Sequence, residues 1–165
     1  MGAAERLAGL DLSLPAVAAP VAAYVPAVRT GVHVHTSGQL PLVDGALPRT
    51  GKVGSQVTPD EATDLARTAA LNALAAVAAL VEHEGGPAGA DALDRIVRVV
   101  KVVGFVASDP AFTGQPGVVN GASLLLHEVL GEAGVHARSA VGVAVLPLDS
   151  PVEVELVVEL APTDV

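Results

Sequence analysis

Arg138 and Glu153 are the residues whose types and spacing most directly suggest chemistry. Arg138 stands at the head of an apolar stretch, HARSAVGV, and Glu153 near the start of VEVELVVEL. An arginine at the mouth of a strand can hold a carboxylate through two parallel N–H bonds. A glutamate beside it can position or activate a water. A hairpin of the two strands would bring both side chains to one side of a sheet. A structural Arg–Glu ion pair would use the same residues in the same places, so spacing alone leaves both readings open. His33 and His35 are two apart on an alternating segment, share a face and could ligate a metal, but no third ligand accompanies them. His83, His127 and His136 read as exposed polar residues.

The chemistry that is excluded is equally informative. Cysteine is absent, which removes disulfides, thiolate catalysis and Cys-ligated metal sites. There is no GxGxxG after a strand, no P-loop and no HExxH, and GVVNG at 117–121 is too short for a phosphate loop. Nine Lys+Arg against 18 Asp+Glu give a net charge of −9, which disfavours a polyanionic partner. Aromatic residues are 2% of the chain, so base stacking is disfavoured too. The expectation is a protein without nucleic-acid or membrane partners, placed in the cytoplasm.

The elements that must carry these residues can be read from patterning. With 51% hydrophobic residues in 165, the chain can build one full core, from Ala, Val and Leu. Residues 1–20 form an extension, with one or two helical turns around Glu5, Arg6, Leu7 and Leu10, stopped by Pro15 and Pro20. Val25 and Val28, the Thr30-Gly31 turn and the alternating Val32–Thr36 segment predict a hairpin. A Gly/Pro-rich loop follows. Thr58, Pro59 and Glu61 are a helix-start signature, and the apolar stripe from Ala62 to Val81 continues to a stop near Glu84-Gly85. Residues 95–107 are the strongest strand, 116–130 a second helix, and 139–148 and 152–160 two closing strands. In the last, Val152, Val154, Leu156, Val158 and Leu160 face one way, while Glu153, Glu155 and Glu159 face the other. The order predicts an α+β layer with two helices on one face of a mixed sheet.

Several segments match one family in serial order. YVPAVRTG followed by HTSGQLPL, with Ser37-Gly38-Gln39, resembles the N-terminal hairpin of the RidA/YjgF family of reactive-intermediate deaminases. DRIVRVVKVVGFVAS resembles that family's central strand, Asn120 its helix asparagine, and HARSAVGVAVLPLDSPVEVEL its C-terminal signature. The resemblance covers roughly residues 20–160 of one domain spanning 1–165. It implies a chorismate-mutase-like fold of the bacillary type, with a six-stranded mixed sheet, assembled as a homotrimeric barrel with ligand clefts between subunits. It also implies hydrolysis of 2-imino or enamine acids to 2-keto acids and ammonia, with no metal and no organic cofactor. Arg138 would grip the substrate carboxylate and Glu153 orient the attacking water. Tyr24, Ser37, Gly38 and Asn120 would line the cleft. The resemblance leaves room for a binding or regulatory trimer of the same fold, and for the endoribonuclease activity with which the family has been labelled. Ala140 stands where the family often has Cys, and the second-helix region is longer than usual, marking a divergent subgroup.

Overall fold

The local signals for the long helix are strong, and it forms where they place it. In the computed structural model, which describes residues 1–17 and 23–162, helix α2 spans Pro59–His83. The Thr58 side chain accepts from the Glu61 N–H at 3.2 Å, and the Glu61 carboxylate accepts from the Thr58 N–H at 2.8 Å. Two of the donors left over at the helix start are thereby satisfied. These bonds hold the Glu61 carboxyl below its ordinary pKa. The buried face is largely alanine: Ala62, Ala66, Ala69, Ala70, Ala73 and Ala76. Small side chains let α2 approach its neighbours closely. By length and hydropathy α2 would qualify as a membrane span, although no such run stood out in the sequence, but 67% of the qualifying stretch is buried inside the fold.

Helix α1 (Ala3–Gly9) precedes it and α3 (Gln115–Leu130) follows it. α1 sends Ala3 and Leu7 into the common core and anchors its start through the Ala3 N–H on the Asp94 carboxylate at 2.7 Å. The expected stop at Pro20 lies outside the described residues. α3 packs on α2 through Gly121, where a Cβ would overlap the Thr63 backbone carbonyl.

The described residues form one five-stranded sheet rather than six strands. Its strands are β1 (Ala27–Thr30), β2 (His33–Thr36), β3 (Ile96–Ala107), β4 (Ala137–Val143) and β5 (Val152–Leu160), in the order β1-β2-β5-β3-β4. All pairs are antiparallel except β3–β4, which is parallel. The parallel pair follows from α3, which carries the chain back over the sheet between the two strands. Val152, Val154, Leu156, Val158 and Leu160 are buried on one face, and the acidic residues between them are only partly covered. On that buried face a Cβ at Gly104 would meet Val119 of α3 at 2.5 Å. The opposite face carries Val103, Phe105, Val141 and Val157, none of them fully buried.

Two sequence expectations are corrected here. β4 starts at Ala137 and ends at Val143, so it does not run over 139–148. A single helical turn, Pro147–Asp149, follows, with positive φ at Leu148 (58°) and Asp149 (57°). The Asp149 carbonyl accepts from the Gly51 N–H at 2.9 Å, and its carboxylate pairs with Lys52 at 2.5 Å. This anchored turn leads the chain past β3, so β5 pairs on the far side. β4 and β5 are therefore not a hairpin.

Candidate functional site

A further correction concerns the two residues expected to act together. Arg138 lies opposite Val102 on β3, and Glu153 lies opposite Phe105. Cross-strand partners share a face, and residues three apart on a strand point to opposite faces. Arg138 therefore emerges on the helix-covered face and Glu153 on the open one. Three residues along the strand and two strand spacings across put their Cα positions roughly 14 Å apart. Within one chain, the structure does not bring Arg138 and Glu153 together. It builds two separate clusters around them.

The Arg138 cluster is assembled on α3. One terminal nitrogen, Nη1, donates to Asn120 Oδ1 at 2.9 Å and to Ser123 Oγ at 3.1 Å. The other, Nη2, donates to the Pro116 carbonyl at 3.1 Å. Asn120 and Ser123 are three apart and share one helix face, which is why a single guanidinium reaches both. A guanidinium has five N–H groups. The Nε–H and one Nη2–H have no partner among the described residues, which leaves donors for a planar anion. No carboxylate pairs with Arg138 among the described residues, so the ion-pair alternative with Glu153 is not what forms.

Ser123 and His136 were not singled out from the sequence. Ser123 Oγ is 2.9 Å from His136 Nε2, and His136 Nδ1 is 2.5 Å from the Gly134 carbonyl. Together with His127, Gly134, Val135 and Arg138 they line a shallow cavity of about 290 Å³. Burial holds the His136 imidazole below its ordinary pKa; the Gly134 carbonyl opposes the shift and Arg138 reinforces it. The signals that could have found them are periodicities. His136 precedes Arg138 by two, the strand repeat, and Ser123 follows Asn120 by three, a helical one.

The Glu153 cluster is assembled on a break in β2. Up to His35 the strand pairs with β5 in one register, His35 opposite Val157. Gln39 then bridges Val154, one residue out of step. Ser37-Gly38 absorbs the extra residue as a bulge. At the break the buried Thr36 hydroxyl takes the Leu156 N–H at 2.9 Å, replacing a lost ladder bond. The Ser37 hydroxyl donates to the Val25 carbonyl at 2.6 Å, and the Ser37 N–H to the Pro26 carbonyl at 2.8 Å. These bonds hold the segment carrying Tyr24, which is 46% exposed, beside the bulge. Gly38 lies against the Glu153 carboxylate, and any Cβ there would overlap it. Burial, followed by repulsion from Glu155, raises the Glu153 pKa, and no donor or cation among the described residues offsets this.

Of the six expected site residues, Arg138 and Asn120 thus fall in one cluster, and Ser37, Gly38 and Glu153 in the other, with Tyr24 alongside. Among the described residues no group of three His, Asp or Glu assembles around His33 and His35.

Comparisons with known proteins agree with this architecture. The family described as "YjgF/chorismate_mutase-like, putative endoribonuclease" matches residues 4–160. Protein TCP17 of Trypanosoma cruzi is 44% identical over 158 residues, covering 95% of this chain and 93% of that one. The protein Atu1372 of Agrobacterium tumefaciens, of unknown function, superposes with a TM-score of 0.84 at 41% identity, over 96% of this chain and 92% of its own. E. coli TdcF, solved with bound serine, gives 0.58 at 25% identity, over 88% and 94%.

Proposed function

Because this chain belongs to the YjgF/chorismate mutase-like family, we propose that it hydrolyses reactive 2-imino acids to 2-keto acids and ammonia, with Arg138 as the carboxylate anchor. One observation carries the reading. Arg138 is already oriented by Asn120, Ser123 and the Pro116 carbonyl, none of them an anion, and it keeps donors at the edge of a cavity. An arginine held by neutral acceptors retains its full charge for a ligand. Serine, bound in the TdcF crystal structure, carries the same α-carboxylate that a 2-imino acid would present.

The reaction needs little beyond orientation. A protonated imine carbon is electrophilic, so fixing the carboxylate beside it sets the position of attack. Glu153, with its pKa raised, would hold the attacking water, while Tyr24, Ser37 and Gly38 shape the wall around it. Since Arg138 and Glu153 stand apart in one chain, the working site takes Arg138 from one protomer and Glu153 from another. A homotrimer closes such a set of sites in a ring. Supporting this, the open sheet face exposes apolar residues, with Val141 at 44%, and β4 is an edge strand with no further neighbour among the described residues.

The test is ammonia release from freshly generated 2-iminobutanoate. Wild-type protein accelerates it, and Arg138→Ala lowers kcat/KM roughly 10²–10³-fold, the loss expected for charge-assisted hydrogen bonds to the substrate. Wild-type trimers that leave the buffer reaction unchanged would sink the proposal. The ready-made anchor also favours a second reading, a trimer that binds 2-keto acids without turnover. In that case 2-ketobutanoate raises Tm in an Arg138-dependent way while ammonia release stays at background. RNA cleavage is the weaker reading at a net charge of −9.

A further inference from the structure

We propose that Ser123 and His136 form the proton-transfer pair of the Arg138 pocket. The inference rests on the imine-hydrolysis reading and assigns it a proton acceptor that does not come from the Glu153 cluster.

The hydrogen-bond chain has a defined direction. The Gly134 carbonyl can only accept, so the neutral imidazole carries its proton on Nδ1. That leaves His136 Nε2 as an acceptor, and the Ser123 hydroxyl donates to it. Ser123 Oγ accepts from Arg138 Nη1 with one lone pair and has a second pair available. The hydroxyl that touches the carboxylate-binding arginine is therefore the same one that faces a neutral imidazole. The carboxylate of a bound 2-imino acid takes the free Nε–H and Nη2–H of Arg138, and its imine carbon is bonded directly to that carboxylate. A water on the second lone pair of Ser123, in the same pocket, can bridge to that carbon. The groups facing His136 are Arg138 on β4 and His127 on α3, which lines the same cavity, and neither is an anion. Burial, reinforced by Arg138, thereby keeps the ring neutral, with its Nε2 lone pair available to accept a proton.

The step balances. The substrate enters as the protonated iminium. A water adds its oxygen to the iminium carbon, and the C=N pair moves to nitrogen. The water proton goes to Ser123 Oγ as Ser123 passes its own proton to His136 Nε2. The carbinolamine so formed takes that proton back on nitrogen by the reverse route. The C–N bond then breaks, the carbinol O–H pair forms the C=O bond, and ammonia leaves with the carbinol proton as ammonium. Ser123 and His136 return to their starting state.

His136→Gln is the informative variant, because a glutamine oxygen can still accept from Ser123 but does not titrate. In wild-type protein, kcat/KM for 2-iminobutanoate hydrolysis falls with acid as His136 becomes protonated, below the ordinary imidazole range. His136→Gln lowers the plateau roughly 10²-fold and removes that acid limb. Ser123→Ala lowers the plateau to a similar extent, whereas His83→Ala, exposed at the end of α2 and remote from the pocket, leaves both plateau and limb unchanged. A second measurement avoids variants altogether. In the wild-type proton NMR spectrum, the His136 ring titrates below the ordinary imidazole range, and saturating 2-ketobutanoate, by placing a carboxylate on Arg138, moves its pKa upward. A His136→Gln enzyme with a wild-type plateau and acid limb overturns the proposal, as does a His136 pKa unmoved by 2-ketobutanoate. The two readings fail separately. If Arg138→Ala retains full activity, imine hydrolysis at this site is wrong. If Arg138→Ala is inactive while His136→Gln is unaffected, only the relay is wrong.

Discussion

The Arg138 pocket and the Gly38–Glu153 shelf are built from the same sheet by opposite means. The pocket is closed within the chain. Its cation has three protein acceptors, its histidine is bonded on both nitrogens, and every partner but Arg138 and His136 themselves lies on α3 or the turn after it. The shelf is left open. Its carboxylate is half-buried, presses against a glycine and, among the described residues, has only another carboxylate as an electrostatic neighbour. A site whose side chains are fixed by several protein hydrogen bonds is rigid before a ligand arrives. A site that raises a carboxylate's pKa without a partner is suited to receive something from outside the chain. In the proposed intersubunit site these clusters would be two complementary halves, one preorganised and one waiting.

The strongest way to break that comparison is complementation. Arg138→Ala and Glu153→Gln proteins should each lose about two orders of magnitude or more in 2-iminobutanoate hydrolysis. Refolded together in equal amounts, they should recover about a quarter of wild-type activity, because a random ring puts an intact Arg138 against an intact Glu153 at one site in four. Recovery no greater than the sum of the two alone would mean that the halves do not meet between protomers.

The next largest effect tests the pocket's foundation. Gly121 is one residue from Asn120, and a side chain there meets the Thr63 backbone carbonyl, which cannot rotate away. Gly121→Ala should cost about 1–3 kcal/mol in urea unfolding, and Gly121→Val more. Because α3 must shift to accommodate it, binding of 2-ketobutanoate should weaken as well. Equal stability in wild type and Gly121→Ala would show that the α2–α3 approach is looser than described. On the shelf, Ser37→Ala removes one hydrogen bond to the Val25 carbonyl and should cost about 1 kcal/mol. It should also loosen the Tyr24 segment, read as increased tyrosine quenching by iodide.

How far the sequence reveals these halves depends on whether the determining interactions are local. The α2 start is written in Thr58, Pro59 and Glu61, and the structure uses all three as expected. The β5 alternation likewise survives intact, because a period of two needs no knowledge of partners. The order of strands was not legible. Two consecutive strands with a Pro-containing connection read as a hairpin, yet two positive-φ residues, Leu148 and Asp149, divert the chain past β3. The α3 segment between β3 and β4 held the clue, since a helix between strands favours parallel pairing. That one pairing decides whether Arg138 and Glu153 share a face, so the individual residues could be picked out where their geometry could not. Ser123 and His136 were missed because each looks ordinary alone, and only the β4–α3 contact makes them a pair.

The smallest predicted effect gives the sharpest distinction between the halves. Glu153 has its folded-state pKa raised above the unfolded value, by burial and then by Glu155. The charged form is thus disfavoured in the folded protein. Its neutral form costs nothing below the unfolded carboxylate pKa, and the penalty appears as pH rises through the folded one. In an isolated chain, Glu153→Gln should therefore raise Tm slightly at neutral pH, with the gain fading as pH falls toward 4.5. In a trimer whose neighbouring protomer supplies a cation or donor to the shelf, the sign reverses. Glu153→Gln then loses a compensating interaction and lowers Tm at neutral pH. Differential scanning calorimetry above and below the concentration at which the proposed trimer would dissociate should show the sign changing with assembly. A gain of the same size at every concentration would mean that the shelf stays unpartnered in the oligomer, and Glu153 would lose its place in the intersubunit site.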